Sequence, residues 1–256
     1  MRDKVYFASD MHLGAQYHPD PLAAERKLVR WLKSIQDDAY ALVLVGDVFD
    51  YWYEYKYVAP RGHVRFLGAL AELADSGVEI HYFTGNHDVW IFDYLPTEIG
   101  LTLHQEPTVL EFFGKRFFVA HGDEYELENK HFQFLRRIFH SPICQKLYSW
   151  IHPDLSSALA RRWSLSSREK GTREHDVVPY RGEDKEYLIR FAKKHTADRG
   201  ADAPDFFIFG HRHLMLHLMI THSTQVVILG DWIHYDSYAV WDGDRLVLDY
   251  FEPTEN

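Results

Sequence analysis

The sequence predicts an α/β domain that is interrupted once by a helical segment. Short apolar strand candidates alternate with amphipathic helix candidates over most of the 256 residues, and this alternation stops between residues 124 and 175. With 46% hydrophobic residues, the chain has enough apolar material for one large core. We therefore expect one core domain, formed by residues 1–123 and 176–256, with residues 124–175 inserted into it as a helical cap.

The strand candidates are short apolar runs bounded by turn-forming or polar residues. In chain order they are VYFAS (5–9), ALVLVG (41–46), EIHYFTG (79–85), RFFVA (116–120), DFFIFG (205–210) and QVVILG (225–230). Two alternating runs, SYAVWDG and DRLVLDYF, meet at Asp242-Gly243, which is a hairpin turn signal. Helices are predicted over 21–36 and 63–75, where apolar residues recur every three or four positions.

The predicted cap contains three sets of apolar side chains at helical spacing. They are Phe132, Leu135 and Phe139; Ile143, Leu147, Trp150 and Ile151; and Leu155, Leu159 and Trp163. The polar, basic run SLSSREKGTREHD (164–176) then predicts a loop. These features indicate a small helical unit between two strands of the core.

Charge and cysteine content restrict the class of protein. The net charge of −10 argues against a protein that tracks nucleic-acid phosphates with basic side chains. A single cysteine, Cys144, allows no intramolecular disulfide and indicates a cytoplasmic location. The longest apolar runs are far shorter than the roughly 20 residues of a membrane-spanning helix, and the N-terminus shows no signal-peptide core. We expect a cytoplasmic protein that does not span a membrane.

Side chains that bind metals follow the strand candidates one after another. They are Asp10 and His12 in SDMH, Asp47 and Asp50 in GDVFD, Asn86, His87 and Asp88 in GNHD, His121 in HGD, and His211 and His213 in GHRH. Because open α/β sheets place ligands at the carboxyl ends of their strands, we expect these groups to converge. In DMH and HRH, the alternate spacing would turn both outer side chains the same way if the chain there is extended.

Any one of these motifs alone would most often be a turn, or a pair of capping or surface histidines. Five of them in this order, each with a suitable residue type, indicate a metal centre instead. Mixed oxygen and imidazole donors suit manganese, iron or zinc. Two cations about 3.5–4 Å apart need a bridging ligand, for which Asp47 is the candidate. Asp50 is better interpreted as a capping or supporting residue, and His217, His222 and His234 as structural histidines.

The ordered motifs resemble those of the calcineurin-like metallophosphoesterase superfamily over nearly the whole chain apart from the insertion. The resemblance implies a four-layer αββα sandwich with a dinuclear site at the strand ends. The implied ligands are Asp10, His12, Asp47 and His213 for one metal, and Asp47, Asn86, His121 and His211 for the other. It also implies that His87 stabilises or protonates the substrate phosphate, and that Asp88 orients the His87 imidazole.

Within the superfamily, the motifs and the insertion after HGD look most like the UDP-2,3-diacylglucosamine pyrophosphatases of lipid A biosynthesis. This resemblance implies two divalent ions, with manganese expected and iron or zinc as alternatives. It implies a nucleotide-sugar lipid substrate whose acyl chains lie in the cap, and peripheral contact with the inner face of the cytoplasmic membrane. Nucleic acid and an obligate protein partner are not expected. Arg168 and Lys170 fall in the segment most similar to the substrate-binding part of that cap.

The chain departs from well-known members of that branch at two places. They carry Arg at the position of His87, and GHTHRP where this chain has GHRHLML. Two other functions therefore stay open. One is a soluble phosphodiesterase or nucleotide pyrophosphatase, which would leave the apolar cap without a ligand; the other is an inactive metal-binding scaffold, which would not need every ligand type intact. A nuclease is disfavoured by the charge and by the absence of a basic, aromatic-studded channel in the sequence.

Overall fold

The computed structural model describes residues 2–15, 18–159 and 179–252. Within these residues, eleven strands form two sheets. Helices pack on the outer face of each sheet, so the layers run helix, sheet, sheet, helix. The predicted αββα sandwich is confirmed.

The strands are β1 (Lys4–Ala8), β2 (Ala39–Val45), β3 (Glu79–Phe83), β4 (Thr102–His104), β5 (Thr108–Phe112), β6 (Lys115–Ala120), β7 (Phe206–Phe209), β8 (Met215–Met219), β9 (Gln225–Leu229), β10 (Ser237–Trp241) and β11 (Leu246–Tyr250). The helices are α1 (Pro21–Ile35), α2 (Val64–Asp75), α3 (Tyr94–Ile99), α4 (Lys130–Phe139), α5 (Pro142–Tyr148) and α6 (Tyr187–Arg199). Short 3₁₀ turns lie at Asp123–Tyr125 and Gly200–Asp202, and residues 153–159 are helical.

The strand order places the loops that carry the predicted metal ligands at one edge of the sandwich. The first sheet has the order β11-β10-β1-β2-β3-β4, in which β1 to β4 run parallel. The second has the order β5-β6-β7-β9-β8, with β6, β7 and β9 parallel. The carboxyl ends of β1, β2 and β3 therefore share one edge of the first sheet, and those of β6 and β7 share one edge of the second.

Apolar packing between and outside the sheets holds these edges in place. The inner faces meet in a core that contains Phe7, Val43, Phe117, Ile208 and Trp241. On the outside, α1, α2 and α3 cover the first sheet, and α6 covers the second through Leu188, Ile189 and Ala192. Because buried apolar area is the main stabilising term, the strand ends are set by rigid layers and not by the loops themselves.

All eight sequence-predicted strands are present, and three further strands were not predicted. β4 has three residues, too few for a period-2 pattern to register. β5 is an edge strand that leaves alternate side chains exposed, and β8 directly follows the histidine motif. Edge strands bury less surface, so their sequences carry a weaker apolar signal.

The two helices α4 and α5 differ from the core helices because neither has a fully buried residue. Asn129 caps α4 by accepting from the backbone N–H of Phe132 at 3.1 Å. Ser141 caps α5, and Pro142 occupies its first position. Their sequence and capping thus define the helices, while some of their apolar side chains, such as Phe134 and Ile143, stay exposed to solvent.

Candidate metal centre

The structure brings the sequence-predicted ligands together from five loops. Asp10 and His12 follow β1, Asp47 follows β2, Asn86 follows β3, His121 follows β6, and His211 and His213 follow β7. In each of two sets of residues, the donor atoms lie within 4.8 Å of one another. One set is Asp10, His12 and His213, and the other is Asp47, His121 and His211. His12, Asp47 and His87 form a third set that joins them. Asp47 therefore lies between the two groups, as a bridging ligand must.

The backbone at these ligands is left-handed, not extended. Asp10, His12, Asp47, His211 and His213 have φ angles of 54°, 45°, 53°, 63° and 46°. The chain at DMH and HRH is therefore not extended, and the alternation argument does not apply there. A non-glycine residue in this region is strained, and such strain persists where tertiary contacts enforce it, often at functional sites.

Two glycines allow the loops to approach one another closely. A Cβ on Gly85 would collide with Oδ1 and the backbone nitrogen of Asp47, and a Cβ on Gly46 would lie 2.5 Å from Nδ1 of His121. Gly46 also has a φ of +82°, which disfavours any L side chain. The glycines in TGN and VGD thus bring three ligand loops, those after β2, β3 and β6, into contact.

The donor atoms fit a pair of divalent cations. Oδ1 of Asp10, Oδ1 of Asn86 and Nε2 of His121 are buried and have no hydrogen-bond partner among the described residues. A buried polar atom left in this way costs free energy unless a ligand satisfies it. Although burial would raise the pKa of Asp47, nearby imidazoles, above all His121, hold it well below the usual range, so the carboxylate is ionised. Oxygen and imidazole donors together match the preferences of first-row divalent metals.

Three imidazoles of the centre have one ring nitrogen held by an oxygen of the protein. Nδ1 of His121 lies 2.8 Å from the carbonyl oxygen of Val45, and Nδ1 of His213 lies 2.9 Å from Oδ2 of Asp231. Nδ1 of His87 lies 2.9 Å from the carbonyl oxygen of Asp50. Each contact places the ring proton on Nδ1, which leaves Nε2 available in the neutral imidazole.

The carboxylate of Asp88 holds two turns together, and the role at the His87 imidazole that the resemblance implies for it stays a prediction. Its carboxylate accepts hydrogen bonds from Gly85 N at 2.7 Å, Val48 N at 2.9 Å and the hydroxyl of Tyr82. Burial, together with the charge of Asp47, raises the pKa of Asp88 to about 6. Asp88 therefore clamps the GNHD turn to the GDVFD turn, while the backbone carbonyl of Asp50 contacts Nδ1 of His87.

Two carboxylates support the centre, and sequence reasoning assigned one of them, Asp50, but not the other, Asp231. Asp231 is fully buried and accepts from His213, from His234 Nδ1 at 3.0 Å and from the backbone N–H of Ile233 and His234. It follows β9 as the other site residues follow their strands, so GDW after QVVILG was the signal for it. Oδ1 of Asp50 lies 3.4 Å from Nδ1 of His12, consistent with the supporting role expected of Asp50.

A row of aromatic side chains connects the core to α4 and α5. The Tyr53 hydroxyl donates to the carbonyl of Gln145 at 2.8 Å, the Tyr55 hydroxyl to that of Ile151 at 3.1 Å, and Trp90 Nε1 to that of Phe139 at 2.8 Å. Tyr51 and Tyr148 share a hydrogen bond of 3.1 Å between their hydroxyls. The segment YWYEY (51–55), which directly follows a ligand motif, thus positions the two helices. The predicted substrate residues Arg168 and Lys170, with Trp163, lie outside the described residues.

An αββα sandwich that gathers two sets of carboxylate and imidazole donors around a shared aspartate defines a metal-dependent hydrolase. Residues 3–215 match the family model of calcineurin-like phosphoesterases. The chain belongs to this family, as its motifs predicted, and is a metal-dependent hydrolase of phosphoesters or pyrophosphates.

Three similar proteins align along nearly the whole chain. A UDP-2,3-diacylglucosamine hydrolase of Porphyromonas gingivalis is 47% identical over 264 aligned positions, which cover 100% of each chain. Another UDP-2,3-diacylglucosamine hydrolase, from Neisseria meningitidis serogroup A, is 29% identical and covers 95% of this chain and 96% of its own. The crystal structure of a dimetal phosphatase from Danio rerio aligns at 16% identity with a TM-score of 0.45, covering 96% and 95% of the two chains.

Proposed function

We propose that the chain cleaves the pyrophosphate of UDP-2,3-diacylglucosamine to give UMP and 2,3-diacylglucosamine 1-phosphate, a step of lipid A biosynthesis. The identity of 47% over the full length to the P. gingivalis hydrolase is the observation that carries this proposal. Because that match spans the whole chain, it includes α4 and α5 as well as the metal-binding loops.

The side chains of the centre divide the work of this reaction. One cation would be held by Asp10, His12, Asp47 and His213, and the other by Asp47, Asn86, His121 and His211; we assign manganese to both positions. Bound cations of this kind neutralise phosphate oxygens and activate a water for attack on phosphorus. His87 would act as the catalytic residue, donating from Nε2 to a phosphate oxygen, because its Nδ1 is held by the carbonyl of Asp50.

The helices after β6 would hold the acyl chains, and we take residues 124–175 as the cap and residues 1–123 and 176–256 as the core. Apolar side chains in the described part of the cap, up to residue 159, are strongly exposed. They are Phe134, Ile143, Leu147, Trp150, Leu155 and Leu159, of which Trp150 is 75% exposed. An exposed apolar cluster next to a phosphate-binding site fits a substrate with a polar head and lipid tails. Arg168 and Lys170 stay predicted contacts of the substrate.

The same cluster would bring the protein to its substrate at the inner face of the cytoplasmic membrane. Among the described residues, no helix combines the length and apolar character needed to cross a membrane. Peripheral contact through Ile143 and Trp150 would place these side chains in the interfacial region. We therefore propose a cytoplasmic enzyme that associates with the membrane only at its surface.

The test is an assay with manganese in mild detergent, with UDP-2,3-diacylglucosamine beside a simple aryl phosphodiester and with products identified by mass. Release of UMP and 2,3-diacylglucosamine 1-phosphate, abolished by a chelator and by Asp47→Asn, would support the proposal. Turnover of the aryl ester alone would retain the hydrolase and refute the lipid substrate, which would favour a soluble nucleotide. No metal-dependent turnover of either compound would refute both.

A further inference from the structure

His211, one of the predicted metal ligands, is contacted at two points by residues of the predicted cap. Oε2 of Glu126 lies 3.3 Å from Nε2 of His211, and the ring of Phe132 packs on the His211 ring at a centroid distance of 5.7 Å. Glu126 lies five residues after His121, and Phe132 lies in the first turn of α4. The segment that connects His121 to the cap therefore folds back and contacts a second predicted ligand, His211.

Contacts from α4 hold Glu126 in this place. Nδ2 of Asn129 donates to Oε1 of Glu126 at 3.2 Å, and Nε2 of Gln133 donates to the backbone carbonyl of Glu126 at 3.2 Å. Arg136, one turn further along α4, pairs with the buried Asp123 at 2.7 Å. The position of the Glu126 carboxylate thus depends on the helix and not on a free loop.

The contact determines which nitrogen of His211 is available to a cation. A carboxylate that accepts from Nε2–H keeps the proton on that nitrogen, so the neutral ring presents Nδ1. At His213 the arrangement is reversed, because Asp231 holds Nδ1 and leaves Nε2 on the side of Asp10. Neighbouring histidines of one motif are thus held in opposite tautomers by carboxylates from two parts of the chain.

We propose that Glu126 is a positioning residue for the metal centre: it orients His211 so that Nδ1 faces the cation shared with Asp47 and His121. The cap thereby sets the affinity of one of the two metal positions. Loss of a carboxylate that supports a metal-bound histidine typically lowers metal affinity by about 10–100-fold. This inference rests on the two-cation centre and is independent of the identity of the substrate.

The experiment measures manganese binding by the metal-free full-length protein, using the electron paramagnetic resonance signal of free Mn²⁺. In wild type we expect two sites per chain. In Glu126→Ala, we expect one site to weaken by about 10–100-fold while the other keeps its affinity. In Glu126→Gln we expect a smaller loss, because the amide oxygen still accepts from Nε2–H without the charge.

Glu128→Ala is the matched control, since Glu128 is an exposed residue two positions away that pairs with Arg190 at the surface. It should bind manganese as wild type does, and all variants should unfold at similar temperatures without metal. Asn129→Asp retains the helix cap but replaces the donor to Glu126 with a like charge, so it should also weaken the same site.

Three outcomes would overturn the proposal. If Glu126→Ala binds two Mn²⁺ ions with wild-type affinity, the carboxylate does not position His211. If both sites weaken equally, the effect is on the fold of the centre as a whole. If Glu126→Gln is as weak as Glu126→Ala, Glu126 is a direct ligand and not a positioning residue.

Discussion

Nδ1 of His87 lies 2.9 Å from the carbonyl oxygen of Asp50, a residue 37 positions earlier in the chain. A carbonyl can only accept, so the proton of the neutral imidazole is on Nδ1. A second proton can then be carried only by Nε2. The His87 ring thus has a defined direction of proton donation, which is what a group that protonates a phosphoester needs.

His87→Ala should lower turnover by about 10²–10⁴-fold, the usual contribution of a positioned proton donor. The bound metal should change little, because the shape of the turn is held by Asp88 and Gly85 and not by His87. Turnover of an aryl phosphodiester and metal content per chain, measured on the same sample, test this. His217→Ala, on an exposed strand, serves as the control. Equal loss of metal and turnover in His87→Ala would assign His87 to metal binding.

Asp47→Asn should weaken both metal positions together. Oδ2 of Asp47 lies 3.3 Å from Nε2 of His121 and 3.8 Å from Nε2 of His12, which belong to different donor sets. An amide lacks the charge needed to serve two cations. The affinity loss should exceed the roughly 10–100-fold expected for a supporting residue. Metal titration by elemental analysis provides the measurement, and a variant that retains two metals and full turnover would contradict the bridge.

Tyr82→Phe should reduce the stability of the protein without altering its chemistry. The buried Tyr82 hydroxyl donates to Asp88, and a hydrogen bond to a charged group contributes about 1.5–3 kcal/mol. The urea midpoint should therefore fall, while turnover at saturating metal stays near wild type. If Tyr82→Phe instead shifts the pH dependence of turnover, Asp88 communicates with His87 and is more than a clamp between two turns.

Tyr53→Phe should affect a lipid substrate more than a small one. The variant loses the hydrogen bond from Tyr53 to the Gln145 carbonyl, worth about 0.5–1.5 kcal/mol, which corresponds to roughly 2–10-fold in affinity. We expect a higher KM for UDP-2,3-diacylglucosamine and an unchanged kcat for an aryl phosphodiester. Tyr40→Phe, at an exposed site away from the cap, is the control. An equal effect on both substrates would contradict a role confined to the cap.

The pair His81 and His104 should make stability fall in mild acid. Burial, with His81 as neighbour 3.1 Å away, lowers the pKa of His104 from 6.5 to about 4. Between these values the unfolded chain binds a proton that the folded chain excludes, so the free energy of unfolding rises with pH. This contribution to the free energy of unfolding is lost as pH falls from about 6.5 towards 4.

His104→Gln removes this titration and should show a shallower loss of stability over the same interval. Urea unfolding at pH 7.5, 6 and 5 gives the comparison. Taking the difference between the two proteins cancels the contribution of histidines remote from this pair. Identical slopes would show that His104 is not excluded from protonation in the fold.

Several features of the fold could be predicted from the sequence because interactions between residues close in the chain determine them. β1, β2 and β7 are continuous apolar runs, as expected of strands covered on both faces. The hairpin of β10 and β11 follows from Asp242-Gly243. By contrast, β4 and β8 take their structure from neighbouring strands, and their own residues give little signal.

The sequence by itself determined which side chains gather as candidate metal ligands in this protein. Each ligand is of the right type and directly follows a strand, and parallel strands bring such ends together wherever the loops go. The tertiary structure alone decided how those ligands are held. The left-handed backbone at Asp47, the carbonyl of Asp50 on His87 and the carboxylates of Asp231 and Glu126 on their histidines are contacts between separate loops. Such contacts depend on distances of a few tenths of an ångström between segments far apart in the chain, and no local pattern of residues encodes those distances.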